Sequence, residues 1–267
     1  MSETQSQSTP LEQIIDLDTH PLGDEVFRAS CREALAANGV LSLTGFLQDK
    51  ALATLVADAT ETAPLAYYAS GTHNVYLTPR DECLDADHVF NRQVVSSKGV
   101  IGTDQLAPDS LLHDLYHSSL FQSFICDVVE QEAIYPYADP LSSINVHYAG
   151  DGKELGWHFD NSAFAITLLL QAPEAGGVFE YVKDVRDAEA GDYNFDAVEA
   201  ILDGVTPATS LPIEPGTLVL FRGRNAMHRV TPTIGKRDRM LVVLAYNEAP
   251  HIALSESARM TFFGRLG

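Results

Sequence analysis

Two imidazoles, one carboxylate and one guanidinium are the residues of this 267-residue chain whose spacing could do chemistry. His158 and Asp160 lie in the run Gly156-Trp157-His158-Phe159-Asp160-Asn161-Ser162, where a strand is expected to begin. Residues two apart on a strand point to the same side, so one strand would present both groups to a common point. His228 follows seventy residues later, in Arg222-Gly223-Arg224-Asn225-Ala226-Met227-His228-Arg229-Val230. Two imidazole nitrogens and one carboxylate oxygen on one face of a metal suit Fe(II) and leave the opposite positions open. Those positions can take a bidentate 2-oxo acid and then O2. An isolated His-x-Asp is common by chance, and its weight comes from His228 and from the cation beyond it.

That cation is Arg239, eleven residues after His228 and at the start of an apolar, β-branched run. Residues 231–238 carry turn chemistry, so the Arg239 strand is expected to return beside the His228 strand. Its guanidinium would then enter the barrel and grip a carboxylate through two parallel hydrogen bonds. The distal carboxylate of 2-oxoglutarate needs such a fork. Arg237 has the same strand parity, although a place in the turn suits it better. Around this set, Trp157 could shield the metal or simply pack. Asn161 and Ser162 could face substrate or make a turn. Arg222 or Arg224 could bind a substrate carboxylate or pair with a surface acid. His73, Asn74 and Tyr76 could form a lid strand. His20, His88, His113, His117 and His251 have no partner at metal spacing and read as surface or structural residues.

The elements that must position these groups fall into two halves. Periodicity of 3.6 predicts helices over residues 24–37, 48–63 and 109–130, the last broken near His117. Asp24 can cap the first of these, and Gly39 ends it. Short strands are expected at 40–43, 73–77 and 93–101. After Pro140 the chain turns into short, β-branched, turn-bounded runs at 141–149, 157–171, 177–182, 209–213, 217–222, 228–231 and 239–247. That pattern predicts an antiparallel sandwich or barrel, interrupted by an acidic loop at 184–193 and a helix near 194–202. The expectation is one α+β domain over residues 11–267, with helices from 11–140 packed on a β-core at 141–250, and a disordered stretch at 1–10.

Seventeen basic against thirty-seven acidic residues give a formal charge of −20. No net positive field recruits a polyanion, so nucleic acid and anionic membrane are excluded as default partners. Cys31, Cys83 and Cys126 form no Cys-x-x-Cys pair and are odd in number, which argues against a disulfide framework. With no basic and apolar leader in Met1–Gln13, a cytoplasmic protein is expected. A homodimer is compatible with the sequence, which does not fix the oligomeric state.

On these residues the chain resembles the iron(II)/2-oxoglutarate-dependent oxygenase superfamily. The likeness runs from Ser143-Ile144-Asn145-Val146-His147-Tyr148 through the His158 and His228 runs to 239–246, about the last half of the chain. The stretches 157–182 and 216–232 are similar, more narrowly, to the BesD/HalD-like group of amino-acid halogenases and hydroxylases. The resemblance implies a double-stranded β-helix (jelly-roll, cupin-like) core, with Fe(II), 2-oxoglutarate and O2 as cofactor and cosubstrates. It implies His158, Asp160 and His228 as metal ligands and Arg239 as the 2-oxoglutarate anchor. A polar residue on the strand before the metal strand often helps hold 2-oxoglutarate, and Asn145 is the first choice with Tyr148 close behind. Halogenases of the group carry Gly where this chain has Asp160, which opens a coordination position for chloride. With Asp160 present, the expectation is hydroxylation of a small polar metabolite, with a free amino acid as the leading class. Desaturation, epimerisation or protein side-chain hydroxylation would use the same site, and a non-catalytic metal-binding or sensing module is the reading outside enzymology.

Overall fold

The structure, a computed structural model, describes residues 9–267. Most of the disordered stretch expected at 1–10 lies outside the described residues, but Thr9 donates its backbone N–H to Asp114. Helix α1 (Glu25–Asn38) starts where Asp24 accepts from the Phe27 N–H and stops at Gly39, whose φ of 72° is left-handed. Strand β1 (Val40–Leu43) and helix α2 (Asp49–Thr62) follow. The expected break near His117 is a cap. Ser118 ends α3 (Leu111–His117) and accepts the Phe121 N–H to start α4 (Ser119–Val129).

Two expectations of strand extent were displaced. Residues 74–77 are not a strand, because the Asn74 side chain accepts the N–H groups of Tyr76 and Thr78 and Leu77 sits at a φ of 55°. The strand is β2 (Tyr67–His73), an exposed edge lacking apolar alternation and held in full register by β3 (Val94–Ile101). Likewise 157–171 is two strands, β5 (Leu155–His158) and β6 (Ala165–Gln171). Other strands are β4 (Ile144–Ala149), β7 (Ala175–Gly176), β8 (Phe179–Val182), β9 (Thr209–Leu211), β10 (Leu218–Phe221), β11 (Met227–Val230), β12 (Thr233–Ile234) and β13 (Arg239–Leu244). Helix α5 (Phe195–Leu202) lies where expected, and α6 (Glu256–Phe263) was not foreseen.

The sheet order is β1-β10-β6-β13-β4-β3-β5-β11-β8-β9, with β2 beside β3. At the β3–β5 join one residue pair, Ser96 with Leu155, is in register, and there the sheet curls into two facing halves. Tyr181 of β8 and Phe221 of β10 meet across the space at 5.6 Å between ring centroids. This is the double-stranded β-helix. The outer face of the first half, with Val146, Tyr148, Leu168, Leu220 and Val242, is buried against α1–α4. The outer face of the second half, with Trp157 and Met227, is buried under Val75, Tyr76 and α5. Helices on one side and a loop with α5 on the other leave the inner faces free for polar chemistry. No helix among the described residues is long and apolar enough to cross a membrane.

Candidate metal centre

Strands β5 and β11 pair with His158 directly opposite His228. Opposite residues share a face, so both imidazoles project between the sheet halves, with ring centroids 4.1 Å apart. The two rings are buried. Asp160 lies past the end of β5, not on the same strand as the sequence suggested. Backbone hydrogen bonds from Phe159 to Val75 and from Asp160 to Gly223 steer the chain there. They return the carboxylate to the imidazoles: its Oδ1 stands 3.6 Å from His158 Nε2 and 3.5 Å from His228 Nε2. The three ligand atoms lie within 4.8 Å of one another.

The donor set is built to take a cation. His158 Nδ1 faces the Gly156 carbonyl at 2.9 Å, and His228 Nδ1 faces the Ala226 carbonyl at 3.1 Å. A carbonyl only accepts, so both Nδ1 atoms carry protons, and in the neutral rings both Nε2 atoms offer lone pairs toward Asp160. Burial, and then His228, push His158 down to about 4, so it is neutral near pH 7. Burial alone would raise the Asp160 carboxyl, but the positive charge and N–H bonds of the imidazoles in their protonated form outweigh it and hold it well below the usual carboxylate range. Its Oδ2 is buried with no hydrogen-bond partner among the described residues. Lone pairs and a carboxylate converging on one point fit a divalent metal held by two His and one Asp.

The facing inner surface is cationic. Arg239 is not beside the His228 strand. Its strand β13 pairs with β4 and β6, in the opposite half of the sheet. The turn at 231–238 crosses between halves because β12 pairs with β7 before the chain reaches β13. Arg239 is nevertheless buried and inward, and burial lowers its guanidinium to about 10. Gly177, at a φ of 60°, makes room for it: a Cβ there would stand 3.1 Å from Arg239 Cδ. Register places Arg239 opposite Ala149, and Asn145 and His147 share that face. Asn145 donates to the Ser142 carbonyl, and its Oδ1 is buried without a partner among the described residues.

Other expected site residues lie elsewhere. Tyr148 is on the helix side of β4, where its hydroxyl donates to the Ala59 carbonyl and meets Thr62. Parity makes this so, since it is one residue from His147. Trp157 packs outward, its ring 4.8 Å from the Arg229 guanidinium, on the face opposite His158. Arg222 pairs with Glu130 at 2.9 Å on the surface. Arg224 pairs with Glu189 at 3.3 Å and also donates to the exposed Asn161 carbonyl. His73 does approach the centre. Its Nε2 is 2.7 Å from Ser96 Oγ, which accepts the Gly156 N–H, and its ring lies edge-on to His158 at 6.2 Å.

Two residues were missed. Gly223 carries no side chain because the Asp160 carboxylate fills the space: a Cβ there would be 1.9 Å from Oδ2. Lys98, a cation in mid-strand on β3, is half-buried and stands 3.4 Å from His147 Nδ1. A lysine in the middle of an expected strand was the available signal.

The sequence model of the family HalD, Halogenase D, matches residues 24–260. A comparison with curated proteins gives no match. Among solved structures the chain is similar to the non-heme alpha ketoglutarate dependent epimerase SnoN from nogalamycin biosynthesis, at a TM-score of 0.58 and 12% identity over 84% of each chain. It is also similar to a 2OG-Fe(II) oxygenase family oxidoreductase from Burkholderia pseudomallei, at 0.55 and 13%, over 86% of this chain and 94% of that one. A prolyl hydroxylase from Trichoplax adhaerens, solved with a hypoxia inducible factor peptide, gives 0.55 and 15%, over 84% and 90%. Those likenesses are of fold, and the sequence match over most of the length is of family: this chain belongs to the HalD family and folds as a 2-oxoglutarate/Fe(II) oxygenase.

Proposed function

We propose that the protein is an Fe(II)- and 2-oxoglutarate-dependent hydroxylase of a small polar metabolite, with a free amino acid as the leading class. The observation that carries this reading is the Asp160 carboxylate within 3.6 Å of both imidazole Nε2 atoms. It completes a set of three protein ligands. A family whose model is named for halogenation is expected to need that position vacated for halide, and here it is filled.

His158, Asp160 and His228 would hold the metal. Fe(II) with 2-oxoglutarate and O2 supplies the oxidising power to hydroxylate an unactivated C–H bond, releasing succinate and CO2. The chain's part is positioning. The Gly156 and Ala226 carbonyls fix both imidazole tautomers. Arg239, inward and with no ion-pair partner among the described residues, suits the distal carboxylate of the cosubstrate. Asn145 stands on the same inner face, and its Nδ2, which donates to the Ser142 carbonyl, has a second N–H for a cosubstrate oxygen. Phe221 and Phe179, with ring centroids 4.7 and 5.7 Å from the His228 ring, keep water from that side of the centre.

The test is product mass. Enzyme, Fe(II), 2-oxoglutarate and air are incubated with amino acids and related metabolites in chloride buffer. The expected product is one oxygen heavier than its substrate, with succinate formed alongside. A chlorinated product would overturn the hydroxylase assignment, and loss of two hydrogens would make the enzyme a desaturase.

A further inference from the structure

Lys98 is a cation with no task in the reading above. Its strand β3 lies next to β4, with Val100 opposite His147 and Gly99 opposite Tyr148. One further step of that antiparallel register puts Lys98 beside Ala149, which has Arg239 on its other side. Three adjacent strands thus carry a row of Lys98, Ala149 and Arg239 on the inner face. Neighbouring strands are about 4.8 Å apart, so the two cations flank a gap about 10 Å wide at the backbone, floored by a methyl group.

The contacts of Lys98 leave its charge uncompensated. Its ammonium donates to His147 Nδ1 at 3.4 Å and sits 5.7 Å from the Phe262 ring of α6. Among the described residues it has no ion pair with a carboxylate. His147 is held neutral, its pKa well below the usual value through burial and the Lys98 and Arg239 charges. Asp160 and Arg239 are the charged groups that Lys98 feels. Among the described residues, then, Lys98 and Arg239 are two cations balanced in part there by the Asp160 carboxylate. Fe(II) and 2-oxoglutarate, a dication and a dianion, cancel and leave that excess in place. A half-buried charge without a partner is costly, and a bound anion removes the cost.

We infer that Lys98 receives a carboxylate of the primary substrate, beside the cosubstrate carboxylate that Arg239 holds. This rests on the oxygenase reading and narrows it to substrates with a free carboxylate. Neutral metabolites and those whose acid group is masked as an amide or ester are excluded.

The test compares wild type, Lys98→Met and Lys98→Arg under anaerobic conditions with Fe(II) and 2-oxoglutarate. The panel comprises the common free L-amino acids, their carboxamides, and butyrate as a bare carboxylate. Binding is read from the perturbation of the Fe(II)–2-oxoglutarate visible band and from calorimetry. In the wild type at least one free acid is expected to bind about 10- to 100-fold more tightly than its carboxamide, the usual worth of a charge-assisted hydrogen bond. In Lys98→Met that preference disappears while 2-oxoglutarate affinity stays within about twofold, and Lys98→Arg keeps most of the preference. If wild type and Lys98→Met treat every panel member alike, including binding none, the inference fails. It also fails if Lys98→Met loses 2-oxoglutarate, because Lys98 then serves the cosubstrate. A wild type that forms no visible band fails at the earlier step, the oxygenase reading itself.

Discussion

Replacing Gly223 by Ala should disable the metal centre without unfolding the protein. The Cβ would fall 1.9 Å from Asp160 Oδ2, 2.6 Å from its Cγ and 3.0 Å from its Cβ. Ordinary contact begins near 3.4 Å, so the carboxylate must retreat by about 1.5 Å. The backbone cannot absorb this, because Asp160 N–H donates to the Gly223 carbonyl at 3.0 Å and ties the two segments together. Gly223 is not among the left-handed glycines, so alanine itself meets no backbone strain. A ligand displaced by more than 1 Å is expected to lose about 100-fold or more in metal affinity, or about 2.8 kcal/mol. The assay is calorimetric titration of Fe(II), or of Co(II) in air, into metal-free protein, with melting temperature as the check on folding. Adding Asp160→Gly to Gly223→Ala removes the clash, so the double variant should bind metal no worse than Asp160→Gly alone. Wild-type affinity in Gly223→Ala would refute the claim that this glycine exists to seat the carboxylate.

Further outcomes follow from the same geometry. Tyr148→Phe should cost about 1 kcal/mol in urea unfolding, through the lost bond to Ala59, while the Michaelis constant for 2-oxoglutarate stays unchanged. Arg222→Ala removes an exposed pair with Glu130, and should shift stability by less than about 1 kcal/mol and leave substrate kinetics alone. Burial lowers Lys98 from 10.5 to about 8. Below pH 8 the folded and unfolded chains both carry its proton, and folding bears the full penalty. Between pH 8 and 10.5 the folded state sheds a proton that the unfolded state keeps, so stability rises with pH. The melting-temperature advantage of metal-free Lys98→Met over wild type should therefore narrow across that window. A constant gap would contradict the assignment.

The clustering of two imidazoles and a carboxylate was legible from chain order, although not through strand parity, since Asp160 lies past the end of β5. His158, Asp160 and His228 needed only to fall near two paired strand ends. The helices were legible through their 3.6-residue periodicity and, for α1, through Asp24 and Gly39, whose capping is local. What the sequence hid was long-range. Nothing in residues 231–238 says that their strand pairs with β7 and so carries Arg239 into the other sheet half. Polar residues of the β-core gave no sign of which face they occupied. Tyr148 and Trp157 were ambiguous until pairing assigned them to the outer faces. Strand β2 was invisible because its stability comes from β3 and not from its own pattern. Lys98 drew no notice because its meaning lies in two neighbouring strands.

The central claim is that His158, Asp160 and His228 together hold Fe(II) with positions open for 2-oxoglutarate. Its most direct test is anaerobic optical titration of the metal-free protein with Fe(II) and 2-oxoglutarate. A visible charge-transfer band is expected that saturates at one Fe(II) per chain, and that is lost or shifted in Asp160→Ala and His228→Ala. No band in the wild type, or an unaltered band in both variants, would contradict it.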